Sequence, residues 1–239
     1  MELIYKIDDH YFYHQKWTER PGQYSYKHSV VLPKATYAPW LDDVEFSALF
    51  NIVKEHTLVD IYRCYELWSL VKQVKTLEGN ILEVGVWRGG TGAILAKSSD
   101  SQVFLADTFA GVVKAGSKDN KYIGGEHSDT SRDSVENFLN SLGVSNYTIL
   151  QGIFPEESSE IIKNNKFKFC HIDVDVYESA KDIFSWVFDR LVVGGIVVFD
   201  DYGFAACEGV TNLVNELALN SDLIMLHNLN GHAVIIKIK

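Results

Sequence analysis

The chain is poor in the residues that would place it in several large protein classes. Only three cysteines occur in 239 residues, Cys64, Cys170 and Cys207. Their odd number and scattered spacing fit neither a disulfide framework nor a cysteine metal site, so reduced thiols in a cytoplasmic protein are expected. Positive charge is scarce, with 22 Lys and Arg against 32 Asp and Glu, for a net charge of −10. That balance disfavours broad binding to nucleic acid or to an anionic membrane. No apolar run approaches the roughly 20 residues needed to span a bilayer. The opening MELIYKIDDHYFYH has no basic segment followed by an apolar one, so no signal peptide is expected. Proline is rare, at four, and no repeat or low-complexity tract occurs. The dinucleotide fingerprint G-x-G-x-x-G is missing because Trp87 stands at its second glycine, and no G-K-[ST] phosphate loop occurs.

Apolar residues are plentiful, at 46%, enough for the core of one α/β domain. Residues 1–44 are rich in Tyr, His and Trp and read as an irregular N-terminal arm, either a flap over substrate or a contact with a second subunit. The latter makes a homo-oligomer an expectation. Residues 45–239 read as the domain. Its approach segment, 45–76, reads as helical, with Leu58, Ile61, Tyr65, Trp68 and Val71 on one apolar face and Gly79 at the end.

Strands are then expected at Ile81–Gly85, Gln102–Asp107, Tyr147–Leu150 and Phe167–Ile172, and at Ile196–Phe199 after a turn at Gly194-Gly195. A closing hairpin pairs Leu223–His227 with Ala233–Ile238. Helices are expected after Gly89-Gly90-Thr91, over SRDSVENFLNSLG with Asp129 or Thr130 as N-cap, over Pro155–Lys163, from about Tyr177 to Val187, and over Glu208–Leu219. Five β–α units and a hairpin predict a doubly wound, mostly parallel, seven-stranded sheet. The polar stretch from Thr108 to about Asp129 is long for a loop, which usually marks a lid or binding loop.

Two stretches carry chemistry. In KFKFCHIDVDVYESAKDIFSWVFDRLVVGGIVVFDD, each apolar strand stops at carboxylates: Asp173 and Asp175 after the first, Asp200 and Asp201 after the second. Parallel strands place these ends together on the carboxyl edge, where open α/β sheets bind ligands. Four acids on one rim repel one another, and a divalent cation removes the conflict. In ILEVGVWRGGTGAILA, Gly85, Gly89 and Gly90 permit close backbone approach to a ligand, and the next helix N-terminus favours an anionic group. Asp107, 22 residues beyond Gly85, ends the next strand, where an acid accepts hydrogen bonds from ribose hydroxyls. Glu83 sits just before the turn, placed to meet the charged end of S-adenosylmethionine directly or through water. Arg63 is open between the carboxylate of that cofactor and a surface salt bridge. His171 reads as a packed or supporting residue, Glu126 and His127 as solvent-facing or in contact with an acceptor, and Trp87 as packing or bordering the cofactor.

The segments LEVGVWRGGTG, ADTFAGV, HIDVDVYESAKD and GGIVVFDDYG resemble the signature segments of the macrocin-type sugar O-methyltransferases. Leu58 to Arg63 resembles their approach helix, and the likeness runs to Asp201 in order and spacing. The resemblance implies a Rossmann-like class I methyltransferase that uses S-adenosylmethionine and Mg2+ to methylate a hydroxyl of a sugar or glycosylated acceptor. It implies metal ligands at Asp173, Asp200 and Asp201, a general base at Asp175, and a ribose-binding acid at Asp107. Glu83, Gly85 and Thr108 then fall at the cofactor turn, and Gly152 and Ile153 on the adenine side. Methylation of a catechol-type phenol and cofactor binding without turnover are the alternatives. A metal-dependent hydrolase would use the acids but leave the glycine turn and Asp107 without a role.

Overall fold

The computed structural model describes two N-terminal strands, Tyr26 and residues 37–239. Strands β1 (Glu2–Ile7) and β2 (His10–His14) pair as an antiparallel hairpin, so part of the arm expected to be irregular is ordered backbone. The proposed flap or subunit contact of the arm otherwise falls outside the described residues.

The domain is built on a seven-stranded sheet. Its strands are β3 (Asn80–Val84), β4 (Val103–Asp107), β5 (Tyr147–Gln151), β6 (Phe167–Ile172), β7 (Leu191–Phe199), β8 (Leu223–Asn228) and β9 (His232–Lys237), in the spatial order β5-β4-β3-β6-β7-β9-β8. The pairs from β5 to β7 are parallel, and β9 runs antiparallel between β7 and β8. The chain winds outward from β3 to β5, then crosses back to β6 beside β3. Strand order reverses there, and the crevice at the carboxyl ends of β3 and β6 is the ligand position of doubly wound sheets.

Among the described residues, six α-helices cover the sheet: α1 (Val44–Val53), α2 (Ile61–Gln73), α3 (Gly90–Lys97), α4 (Arg132–Ser141), α5 (Tyr177–Phe188) and α6 (Glu208–Leu217). Side chains alternate across the pleat. Leu82, Cys170, Val197 and Phe199 pack with α5 and α6, while Ile81, Phe169, Ile196 and Val198 pack with α1 to α4. Buried apolar cores on both faces are the doubly wound arrangement that the strand pattern predicts.

Several boundaries differ from expectation, each for a local reason. The approach segment is two helices, not one. Asp60 caps α2 by accepting from the backbone N–H groups of Tyr62 and Arg63, and the connection 54–60 leaves Leu58 65% exposed. Ser131, rather than Asp129 or Thr130, caps α4 in a reciprocal capping box with Ser134. Pro155–Lys163 forms turns and a single 3-10 turn at Glu160–Ile162. There the Glu157 carboxylate accepts from the Ile153 N–H, a local bond that competes with helix. Gly194-Gly195 does not precede the last parallel strand but lies inside it. Leu191 pairs with Phe167 while Ile196 pairs with Phe169, so the glycines sit in a bulge, with Gly194 at φ +82°.

Candidate active site

The carboxyl ends of β3, β4, β6 and β7 open into one cavity of about 260 Å³, which brings together Gly85, Asp107, Thr108, Gly152, Asp173, Asp175, Asp200, Asp201 and Arg63. Gly85 is required by its surroundings. Its φ is +92°, and a Cβ there would lie 1.6 Å from the carbonyl oxygen of Asp173. The β3 turn therefore passes directly against the chain that carries the acids. Asp107 secures this turn. One of its oxygens, Oδ2, accepts from the N–H groups of Val86 (2.7 Å) and Trp87 (2.9 Å), and Oδ1 accepts from Phe109 (2.7 Å). Thr108 shapes the next connection, donating its hydroxyl to the Gly111 carbonyl and accepting from the Ala110 N–H.

Three expected cofactor contacts are placed differently. Glu83 is fully buried and outside the cavity lining, because the pleat turns it to the helical face opposite Val84. There its Oε1 lies 3.0 Å from His171 Nδ1. Ile153 also falls outside the lining, between Gly152 and Phe154, which are part of it. Arg63 lines the cavity, but it is neither at the surface nor free. It is 6% exposed, with Nε on Asp60 (2.9 Å) and Nη1 on Asp200 (2.5 Å). The N-terminus of α3 is likewise partly closed, since the Gly90 N–H donates to the His56 carbonyl at 2.9 Å. The connection from His56 to Val59 thus becomes a cavity wall, a role its apolar residues do not advertise in sequence.

Asp173, Asp200 and Asp201 each present a carboxylate oxygen within 4.8 Å of the others. Burial, then the charges of neighbouring carboxylates, pushes Asp173 and Asp201 well above the usual carboxylate range. Burial acts on Asp200 in the same direction, but His232 and Arg63 outweigh it and hold that group below the range. Oδ2 of Asp201 is buried and has no hydrogen-bond partner among the described residues. An orphaned carboxylate oxygen beside two further carboxylates is a donor set that fits a hard divalent cation. Asp201 and Asp175 both adopt left-handed backbone, at φ +65° and +66°. That is uncommon outside glycine, although Asp tolerates it better than most residues, and it aims both side chains off the strand ends into the site.

Asp175 stands beside this cluster. Burial raises its pKa, opposed by the nearby Tyr122 hydroxyl and His127, and the Cys207 thiol lies 3.8 Å from its Oδ1. The Tyr122 hydroxyl lies 3.4 Å from His127 Nε2. Both residues line the cavity, with Tyr122 half-buried and His127 exposed at its mouth. Glu126 is half-buried and caps its own loop by accepting from the N–H groups of Ile123 and Gly124. The sequence offered no periodic or motif signal for Tyr122 or His127, which reach the site only through the path of the loop.

The model of the macrocin O-methyltransferase (TylF) family matches residues 53–232. The chain belongs to this family. Two curated relatives illustrate the macrocin O-methyltransferase likeness. One is an 8-demethyl-8-(2,3-dimethoxy-alpha-L-rhamnosyl)-tetracenomycin-C 4'-O-methyltransferase of Streptomyces olivaceus, 30% identical over 169 residues covering 64% of each chain. Another is a mycinamicin III 3''-O-methyltransferase of Micromonospora griseorubida, 26% identical over 172 residues, covering 64% of this chain and 67% of the relative. The match thus spans just under two thirds of the first relative's length. Among solved structures, the O-methyltransferase NovP superposes with a TM-score of 0.64 at 22% identity, over 77% of this chain and 83% of that one. The calicheamicin methyltransferase CalS11 gives the same score at 15% identity, over 88% and 99%. These superpositions establish that this chain has the class I methyltransferase fold.

Proposed function

We propose that this protein is a divalent-metal-dependent O-methyltransferase that moves the methyl group of S-adenosylmethionine to a hydroxyl of a sugar or glycosylated small molecule. The observation that carries this reading is the convergence of Asp173, Asp200 and Asp201 in the cavity that also holds the Gly85 turn and Asp107. Membership of the macrocin O-methyltransferase family supports it, as does a relative named for a rhamnosyl-bearing compound.

A sugar hydroxyl is hardly ionised near neutral pH. Mg2+ held by Asp173, Asp200 and Asp201 would acidify the acceptor hydroxyl, and bound S-adenosylmethionine would supply the activated methyl. Asp175 takes the hydroxyl proton as general base, beside the metal ligands rather than among them. Tyr122 and His127 line the same cavity as Asp175 and stand near its carboxylate. Gly85 and the Asp107-braced turn set the cofactor's depth, with Asp107 also placed to accept from ribose hydroxyls. Gly152 and Phe154 border the far end. Leu58, Val59 and Phe204 line the remaining walls and exclude water, so that the reacting atoms are aligned in a restricted space.

Calorimetric titration with S-adenosylhomocysteine, with Mg2+ and again with EDTA, tests the cofactor pocket directly. Binding in both conditions is expected, followed by metal-dependent methyl transfer to sugar diols. Asp201→Ala should abolish turnover and leave cofactor binding nearly unchanged. Absence of S-adenosylhomocysteine binding in either condition would overturn the methyltransferase reading, and equal loss of binding and turnover in the variant would remove Asp201 from the metal role.

A further inference from the structure

Behind the carboxylate cluster, on the face of the sheet covered by α2, lies a second set of donors. Glu83 on β3 pairs in register with His171 on β6, and His171 with Val198 on β7. Val198 pairs with Val234 on the antiparallel β9, and the same register carried to the strand ends sets Asp200 opposite His232. The pleat therefore places His171, Asp200 and His232 on one face at one rim. One ligand atom from each lies within 4.8 Å of the other two, and all three residues are buried. We propose that His171 Nε2, His232 Nε2 and the Asp200 carboxylate form a second metal site, of mixed nitrogen and oxygen ligation, suited to a transition-metal ion such as Zn2+.

Three observations carry this site. First, each imidazole has its other nitrogen held by a glutamate: His171 Nδ1 lies 3.0 Å from Glu83 and His232 Nδ1 lies 2.7 Å from Glu66. A carboxylate on one ring nitrogen is the usual support of a metal-bound histidine, since it fixes the ring and leaves the lone pair on the other nitrogen. Second, both Nε2 atoms are buried and without a hydrogen-bond partner among the described residues. His171 Nε2 has no hydrogen-bond or ion-pair partner among the described residues, and a buried polar nitrogen left so is costly unless something binds it. Third, His232 Nε2 approaches Asp200 Oδ1 to 3.2 Å without the alignment of a hydrogen bond. For metal bonds of about 2.1 Å, a separation of 3.2 Å subtends about 100° at the ion, between the octahedral and tetrahedral angles.

Charge is consistent with the assignment. The carboxylates of Asp60, Glu66, Glu83 and Asp200 face this network, with Arg63 as the permanent cation on Asp200 and Asp60. A divalent ion there would offset the negative charge of these carboxylates. Asp200 belongs to the cavity wall, so the ion reaches the site past it. Two imidazoles and one carboxylate suit zinc, cobalt or iron better than magnesium, which takes all-oxygen ligation. The two sites share Asp200 but differ in donor chemistry.

Co2+ is the probe, titrated into chelator-stripped full-length protein in excess MgCl2, which occupies the all-oxygen site. We expect one equivalent to bind with a visible ligand-field spectrum diagnostic of nitrogen ligation. His232→Asn should weaken binding at least a hundredfold. Glu66→Gln, which removes only a supporting carboxylate, should weaken it about 10- to 100-fold. Asp173→Asn should leave it within about threefold. Because His171 is central and its loss endangers folding, His232→Asn and Glu66→Gln carry the test, with thermal midpoints recorded for each. Co2+ binding that is displaced by Mg2+, abolished by Asp173→Asn and indifferent to His232→Asn would overturn the proposal. The histidines would then hold Asp200 without a metal. Calorimetry with S-adenosylhomocysteine reads the methyltransferase proposal separately, and this one does not rest on it.

Discussion

Replacing Gly85 by alanine should damage the protein more than its single methyl group suggests. The residue adopts φ +92°, and the added Cβ would lie 1.6 Å from the Asp173 carbonyl oxygen. A left-handed conformation costs a residue with a Cβ about 1–2 kcal/mol, and forcing a carbon into packed backbone costs about 1–3 kcal/mol. Relief requires the ends of β3 and β6 to part, which strains the bond from the Asp173 N–H to the Val84 carbonyl, now 2.9 Å and worth about 0.5–1.5 kcal/mol. The combined loss is about 3–6 kcal/mol, or roughly 6–24 °C in thermal midpoint for a chain of this size. Gly143→Ala supplies the control. Gly143 also has positive φ, at +65°, but a Cβ there meets nothing within 4 Å. Only the conformational part remains, roughly 2–8 °C. Scanning calorimetry of both variants, with S-adenosylhomocysteine titrations on the same samples, makes the comparison. Equal shifts for the two, with cofactor affinity intact in Gly85→Ala, would refute the close approach of the turn to the acid-bearing chain.

Tyr122→Phe removes a cavity-lining hydroxyl that contacts His127 and stands near Asp175. Loss of one polar contact beside the proposed base predicts a kcat lower by about 2- to 10-fold, with S-adenosylhomocysteine affinity unchanged; a matching loss of affinity would instead place Tyr122 in the cofactor pocket. The raised folded-state pKa values of Asp173 and Asp201 set a pH dependence. The folded protein keeps protons that the unfolded chain releases above about pH 4, so metal-free stability falls as pH rises from there through the raised values. Asp200 is shifted the other way, and its contribution is lost only as pH falls below the carboxylate range. Thermal midpoints in EDTA should therefore decline from pH 5 toward pH 8, and Mg2+ should flatten the decline; a flat profile in EDTA contradicts the desolvated acids. Burial pushes the thiols of Cys64, Cys170 and Cys207 up. The native protein should be inert to a thiol-disulfide reagent at pH 8 and release three equivalents when unfolded, and fast reaction of any thiol in the native state would refute their burial.

The sequence was most legible where short-range pattern and chemistry coincide. Apolar runs that stop at Asp173 and at Asp200-Asp201 can end only on one edge of a parallel sheet, and the glycine at position 85 announces close approach. Where the outcome depends on parity or on distant pairing, residue types alone were silent. Glu83 precedes the cofactor turn in sequence, yet the pleat sends it to the opposite face, toward His171. His232 looks like an ordinary hairpin residue, and only the antiparallel register of β9 sets it against Asp200. Leu58 continues an apolar helical period, while Asp60 interrupts it; the capping preference of Asp was the signal that would have located the break. Arg63 sits one turn into α2, and its charge is absorbed by an acid 137 positions away.

The connection from Thr108 to Thr130 has no helix or strand, yet it is moored at separated points of the domain. Asp119 accepts from the first N–H of α5, Asn120 donates to the Ala205 carbonyl, and Lys114 pairs with Glu156 and Asp182. Its moorings include the start of the helix that follows Asp175, while Ile123 near its tip is exposed. Substitutions at about 123–126, which spare Tyr122 and His127, can therefore remodel the mouth of the cavity without moving the acids beneath it. Such an arrangement allows relatives to diverge in what they accept while the reacting centre stays unchanged, and it marks this short span as the place to graft a new preference.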